Sequence, residues 1–231
     1  MTPLIPTEER ASQFIRTNTG IHTPPHVPEI KLHLADEAHE LWHKTEQELC
    51  EIGLPPPYWA FAWAGGQGVA RYILDHPAIV GGKRVLDFAS GSGLVAIAAA
   101  MRNAASVTAN DIDRFACHAI TLNAGLNQVT LGFNDHDLIG QDLSKTTDIL
   151  LAGDVFYDKP LADRLLPWFD MLSAKGMTII VGDPGRSYLP RHRLTELAVY
   201  TVPVTRALED ADVKRTTVWQ YSHTDLDSPS R

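Results

Sequence analysis

From residue 84 onward the hydrophobic residues fall into two kinds of run that alternate. Short apolar blocks at 84–88, 106–111, 129–133, 148–155, 177–182, 200–205 and 213–221 read as strands. Between them, 94–100, 113–126, 161–172 and 189–198 carry apolar positions at helical spacing. Strands and helices that alternate in this way predict an α/β fold: a Rossmann-like, seven-stranded, mostly parallel sheet with helices on both faces. The block at 148–155 is almost continuously apolar, as suits a central strand covered on both sides. Only a short polar link, 207–212, joins the last two strands, so the final strand is expected to run antiparallel.

Upstream the pattern loosens into an N-terminal helical extension. Residues 1–28 are rich in Thr and Pro around one apolar pair, Phe14-Ile15, and predict a short helix in an arm. An alternating run follows at 27–34. Then Ala38, Leu41, Trp42, Thr45, Leu49 and Ile52 mark a helix over 36–52, with Asp36 as its cap, Gly53 as its stop and Trp42 packing it onto the body. Pro55-Pro56-Pro57 forces an extended entry into Tyr58-Trp59-Ala60-Phe61-Ala62-Trp63-Ala64-Gly65-Gly66-Gln67-Gly68, read as a loop before a helix at 69–76. The expected organisation is an arm and helix over 1–53, one core domain over 54–223 and a frayed tail over 224–231.

Chemistry concentrates at Arg84-Val85-Leu86-Asp87-Phe88-Ala89-Ser90-Gly91-Ser92-Gly93, where a strand ends in a carboxylate and a G-x-G turn opens a helix. Glycines admit positive φ and close ligand approach, and the new helix offers unpaired N–H groups. The turn lacks the lysine of a phosphate loop, and Ala96 stands where a dinucleotide motif wants its third glycine. From Asp87 to Asp111 the chain spans one turn, one helix and one strand, which brings Asp111 beside the turn as an acceptor for ribose hydroxyls. Asp87 can orient the loop and the amino group of a cationic ligand. A ribose, an amino-acid head and no phosphate describe S-adenosylmethionine. Glycine turns also join strands to helices in domains that bind nothing, so the motif alone leaves both readings open.

Asp87, Gly91, Gly93 and Asp111 together resemble the first motif and second acid of class I methyltransferases. Adding Val27-Pro28-Glu29-Ile30, the Tyr58–Gln67 run and Asp154-Val155-Phe156-Tyr157, the chain over about 27–222 is similar to the seven-strand protein-lysine methyltransferases. Within them it is most similar to the electron-transfer flavoprotein β-subunit lysine methyltransferase branch. The resemblance implies cofactor contacts at Trp63, Gln67, Asp87, Ala89, Gly91 and Gly93, with Asp111 and Asp137 completing the set. It implies catalytic roles for Asp154 and Tyr157 of the D-x-x-Y motif, S-adenosylmethionine as cofactor, and the flavoprotein subunit as protein substrate. Rival accounts stand beside several of these. Tyr58, Trp59 and Phe61 equally suit a hydrophobic clasp for the arm, and an Asx-rich turn explains Asp137. Asp154 could cap the helix beginning near Pro160, although Asp158 is better placed to do so. Asp183-Pro184-Gly185-Arg186 reads as a substrate mouth or a plain turn. The rival functions are methylation of a small-molecule nitrogen or a ribosomal-protein amine, and a cofactor-binding scaffold without turnover.

The formal charge of -8 lacks the positive field with which nucleic-acid binders collect phosphates, so no nucleic-acid partner is expected. Cys50 and Cys117 form no paired spacing, which points to a reducing, cytoplasmic compartment. His39 and His43 lie four apart on the expected helix, but two ligands do not make a metal site. No segment reaches the length of a membrane span and the N-terminus lacks a signal-like apolar stretch, so a soluble protein is expected.

Overall fold

A computed structural model describes residues 8–35, 56–204 and 212–224. The expected helix over 36–52 with Trp42, the His39–His43 pair, Cys50, nearly all of the 207–212 link and the 225–231 tail lie outside those residues.

The arm forms helix α1 (Glu8–Asn18) and a small antiparallel pair, β1 (Gly20–His22) with β2 (Leu32–Leu34). The alternating run at 27–34 thus yields only three strand residues. Val27 and Ile30 are buried in the turns before them.

Helix α2 (Ala64–Asp75) leads into the core strands β3 (Arg84–Phe88), β4 (Ser106–Asn110), β5 (Gly132–Asn134), β6 (Ile149–Gly153), β7 (Thr178–Asp183), β8 (Leu194–Pro203) and β9 (Val213–Tyr221). They form one seven-stranded sheet in the order β5-β4-β3-β6-β7-β9-β8. Strands β3 to β7 pair in parallel, and β9 runs antiparallel to both β7 and β8. Period-two alternation divides the strand side chains between two cores. Val85, Ile149, Leu151 and Ile180 join α2 and helix α3 (Leu94–Met101) on one face. Leu86, Phe88, Leu150, Ile179 and Val181 meet Leu165, Trp168 and Phe169 of a later helix, α5 (Lys159–Ala174), on the other. Between these, α4 (Arg114–Leu126) extends the first face and carries the arm: Phe115 lies 5.5 Å from Phe14 and stacks at 6.2 Å on Trp59. Each fully buried Leu or Ile contributes about 1.5–3 kcal/mol of transfer free energy.

Helix starts follow the capping chemistry of the sequence. Asp158 accepts the Leu161 N–H at 3.0 Å and caps α5, while Asp113 accepts the Phe115 N–H at 2.9 Å and caps α4. The cap role is therefore taken by Asp158, leaving Asp154 to other partners.

Two expectations fail. The segment 189–198 is a 3-10 turn (Arg191–Arg193) that passes directly into β8, not a helix. Leu197 is the extra residue of a register shift between Glu196 and Ala198, and this bulge breaks the two-residue alternation into a spacing that mimics a helix. The segment 64–68 is likewise not a loop but the first turns of α2. Its glycines serve close packing: a Cβ at Gly65 would overlap the Gly182 carbonyl oxygen and Asp154 Oδ2. Helix α2 therefore begins flush against the ends of β6 and β7.

Candidate active site

Parallel strands β3, β4, β6 and β7 end on one edge of the sheet, so Asp87, Asp111, Asp154 and Asp183 gather there. A cleft between β3 and β6 is lined by Asp87, Ala89, Gly91, Phe61, Trp63 and Asp154, among others.

Its cofactor side is held by reciprocal bonds between the turn and two acids. Asp87 is 1% exposed and accepts the Ser90 hydroxyl and, at 3.0 Å, the Ala96 N–H in the first turn of α3. Burial pushes its carboxyl up to about 7; the Ser90 and Ala96 bonds pull the other way, and Asp111 adds repulsion. Asp111 accepts the Gly91 N–H at 2.8 Å through one oxygen and the Asp113 N–H at 3.0 Å through the other, and burial raises its pKa also. Ala89, Gly91 and Gly93 have φ of 53°, 54° and 82°, so the turn passes through the left-handed region three times. Asn123 braces it from behind: its fully buried side chain donates to Ser92 O at 2.8 Å and accepts the His33 N–H at 2.7 Å, tying the turn to the arm.

The other wall belongs to Asp154, 7% exposed with φ 57°. One carboxylate oxygen accepts Arg186 Nε at 3.1 Å and Nη2 at 2.7 Å. The other accepts the Gly66 N–H at 3.2 Å. The α2 N-cap is Trp63, whose indole cannot cap, so this distant carboxylate meets the orphan amide and the positive helix end in its place. The Trp63 Nε1–H donates to Tyr58 O at 3.0 Å, its ring lies 6.0 Å from Tyr58 and Phe61, and the Arg186 guanidinium sits 5.8 Å from its centre. Tyr157, half-exposed, stands 6.0 Å from Tyr58 on the outer rim.

Of the sequence-derived cofactor contacts, Gly93 and Asp111 belong to the turn and its brace but not to the cleft lining, and Gln67 and Asp137 lie apart from both. Gln67 is buried in α2 with both ends of its amide engaged by backbone: it donates to Ala62 O at 2.7 Å and accepts the His26 N–H at 3.3 Å. Its position one helical turn past Trp63 turns it toward the arm. Asp137 lies in the turn after β5, accepts the Ile139 N–H at 3.1 Å and pairs with Arg164 of α5, which lowers its pKa. It takes the Asx-turn role. Conversely, no sequence pattern identifies a charge partner for Asp154: Arg186 reads there as part of a turn at a strand end.

The cavity encloses about 40 Å³, enough for water and far below the volume of a nucleoside ligand. Its chemistry nevertheless fits S-adenosylmethionine: two buried carboxylates, backbone at positive φ and no lysine or arginine at the G-x-G turn. Among the described residues no group of His, Cys, Asp and Glu could hold a metal ion, and no helix is long and apolar enough to cross a membrane.

The profile of the family described as Ribosomal protein L11 methyltransferase (PrmA) matches residues 73–162, the cofactor half of the sheet. A solved Thermoplasma acidophilum structure covers 70% of this chain and 91% of its own, at TM-score 0.53 and 19% identity, which speaks for the fold alone. Longer matches come from curated proteins. The chain is 39% identical to the electron transfer flavoprotein β-subunit lysine methyltransferase of Xenopus laevis, over 90% of this chain and 85% of that one. It is 36% identical to the protein of that name from Mus musculus, over 93% and 85%. Similarity of that extent spans both walls of the cleft, and the chain belongs to the electron transfer flavoprotein β-subunit lysine methyltransferase family.

Proposed function

We propose that this protein transfers a methyl group from S-adenosylmethionine to a lysine side chain of the electron transfer flavoprotein β-subunit. The observation that carries the reading is the sharing of one cleft by the Asp87–Gly91 turn and the Asp154 carboxylate. Bound at the turn, S-adenosylmethionine supplies a methyl group on a positively charged sulfur, an electrophile that needs no covalent help from the protein. Asp111 and the turn amides hold the nucleoside, and Asp87 faces its charged end. The lysine nitrogen would take up the methyl group, and the electron pair of the broken carbon–sulfur bond would stay on sulfur. Asp154 orients the amine, Tyr157 lines its path, and Trp63 and Phe61 exclude water. A free lysine titrates near pH ~10.4, so the amine must shed a proton, which Asp154 passes to water.

Two cysteines without paired spacing support a reducing, cytoplasmic setting, and the charge of -8 gives no reason to include nucleic acid. The test is transfer of labelled methyl from S-adenosylmethionine into purified flavoprotein, with the modified residue identified by mass spectrometry. Label on a β-subunit lysine is the expected result. Label that enters only a ribosomal protein or a small molecule would move the substrate, and cofactor binding with no transfer to any acceptor would leave a scaffold.

A further inference from the structure

One buried side-chain amide touches both the cofactor turn and the N-terminal arm. Asn123 of α4 is fully buried; its Nδ2 donates to Ser92 O at 2.8 Å and its Oδ1 accepts the His33 N–H at 2.7 Å. A carbonyl can only accept and a backbone amide can only donate, so the two partners fix which end of the side chain faces which segment. Ser92 lies between Gly91 and Gly93, at φ 54° and 82°, and a Cβ at Gly93 would stand 3.2 Å from Ile120 Cγ1 of the same helix. Helix α4 therefore packs directly on the turn, with Asn123 holding the Ser92 carbonyl toward the helix.

The arm grips that helix at a second point. Asn127 accepts the Lys31 N–H at 2.9 Å, donates to Lys31 O at 2.6 Å and donates to Asn123 O at 2.8 Å. Residues 31 and 33 thus hang on α4 by side-chain amides, while Leu32 and Leu34 pair with His22 and Gly20 of β1. At its end the arm meets the entry to the cleft: the Ala35 N–H donates to Ala60 O at 2.9 Å, one residue before Phe61 of the lining. Asn123, Asn127 and residues 31–33 do not line the cleft, so any effect they have on a ligand passes through the turn.

We infer that Asn123 is a positioning residue that makes the docked arm part of the cofactor site: the arm holds the Gly91–Gly93 turn in the form that receives S-adenosylmethionine, and bound cofactor in turn holds the arm in place. Such a coupling is reciprocal, because a segment whose docking raises ligand affinity by some factor is stabilised by the ligand by the same factor. It concerns the methyl donor alone and does not depend on which lysine accepts the methyl group. An amide of purely structural use would lower the melting temperature when removed and leave cofactor affinity, measured well below melting, unchanged.

The experiment is hydrogen exchange of the protein with and without saturating S-adenosylmethionine, read at the amides that pair β1 with β2. Exchange there should slow by about tenfold on cofactor addition, whereas amides that pair β8 with β9 should not slow. In Asn123→Ala the cofactor Kd, measured by calorimetry, should rise by about tenfold, and the cofactor-dependent slowing in the arm should vanish. Asn127→Ala loosens the arm at the exposed Lys31 and leaves Asn123 in place, so its arm should exchange faster than wild type yet keep the slowing. Methyl transfer to the flavoprotein should show the same split: the loss in Asn123→Ala should lie in KM for S-adenosylmethionine and recover at saturating cofactor. Should Asn123→Ala fail to fold, as judged by its melting curve, the exchange of wild type and of Asn127→Ala still decides. Arm amides that ignore the cofactor, slowing of equal size between β8 and β9, or a folded Asn123→Ala with wild-type Kd overturns the inference. Wild-type enzyme that binds cofactor but methylates no lysine overturns the functional reading alone.

Discussion

Asp87 and Asp154 close neighbouring parallel strands and line one cleft, yet the fold treats the two carboxylates in opposite ways. Asp87 is held by a hydroxyl and an amide, with no cation against it among the described residues, and burial pushes it up to about 7. Asp154 is nearly as buried but carries a guanidinium and a helix end. The first is a charge left uncompensated until a cationic ligand arrives. The second is a charge that meets a cation within the fold itself. Side by side they show how one residue type can serve donor and acceptor of the same group transfer.

The contrast breaks most visibly at Asp154. Its φ of 57° favours Asn over Ala as the replacement, because Asn tolerates the left-handed region. Asp154→Asn should lower kcat by about 10²–10³-fold while the cofactor Kd, measured by calorimetry, stays at its wild-type value. Asp154→Ala should in addition remove the ion pair with the partly buried Arg186 and cost about 3 kcal/mol in chemical denaturation.

On the cofactor side, Asp111→Ala should weaken cofactor binding by about 10- to 100-fold, with kcat at saturating cofactor nearly preserved. The same change frees the Gly91 N–H.

Asp87→Asn sharpens the comparison through pH. Because the folded-state pKa stands above the unfolded value of 3.8, the folded protein keeps this proton longer. The resulting loss of stability is absent below the unfolded value, grows as pH rises toward about 7 and is constant above it. The Asn variant escapes that loss, so its melting temperature should exceed wild type by about 5 °C at pH 8 and converge with it near pH 4, even as cofactor binding fails. Equal melting curves at both pH values would sink this account of Asp87.

The smallest effects separate the fasteners from the site. Gln67→Ala should cost about 2 kcal/mol of stability with an unchanged cofactor Kd, and Asp137→Ala, at an exposed ion pair, about 0.5 kcal/mol with no change in binding. A large rise in Kd for either would restore the cofactor role that the sequence resemblance implies.

The β3–turn–α3–β4 unit was legible because every determinant lies within one short stretch: an apolar strand, an acid, glycines where φ turns positive and an Ala-rich helix. Strand β8 was not, since the bulge at Leu197 gives its apolar residues a false period that only pairing with β9 resolves. The Asp154–Arg186 pair joins residues 32 positions apart on two strand ends, and no local pattern announces such a meeting. Gln67 shows sequence proximity without spatial proximity. It sits beside the aromatic entry in sequence, yet 3.6 residues per turn carry its side chain away from the cleft.

The junction of Gly65 with Gly182 and Asp154 has a consequence for anyone who would retarget this enzyme. Directed evolution of a substrate pocket relies on walls that yield independently, so that one can be remodelled while the next stays put. Here the helix that starts at Ala64, the strand end that presents Asp154 and the carbonyl of Gly182 meet with no side-chain volume between them. Any residue larger than glycine at that seam shifts acceptor geometry and sheet edge together. Libraries that include Gly65 or Gly182 therefore sample mostly broken scaffolds.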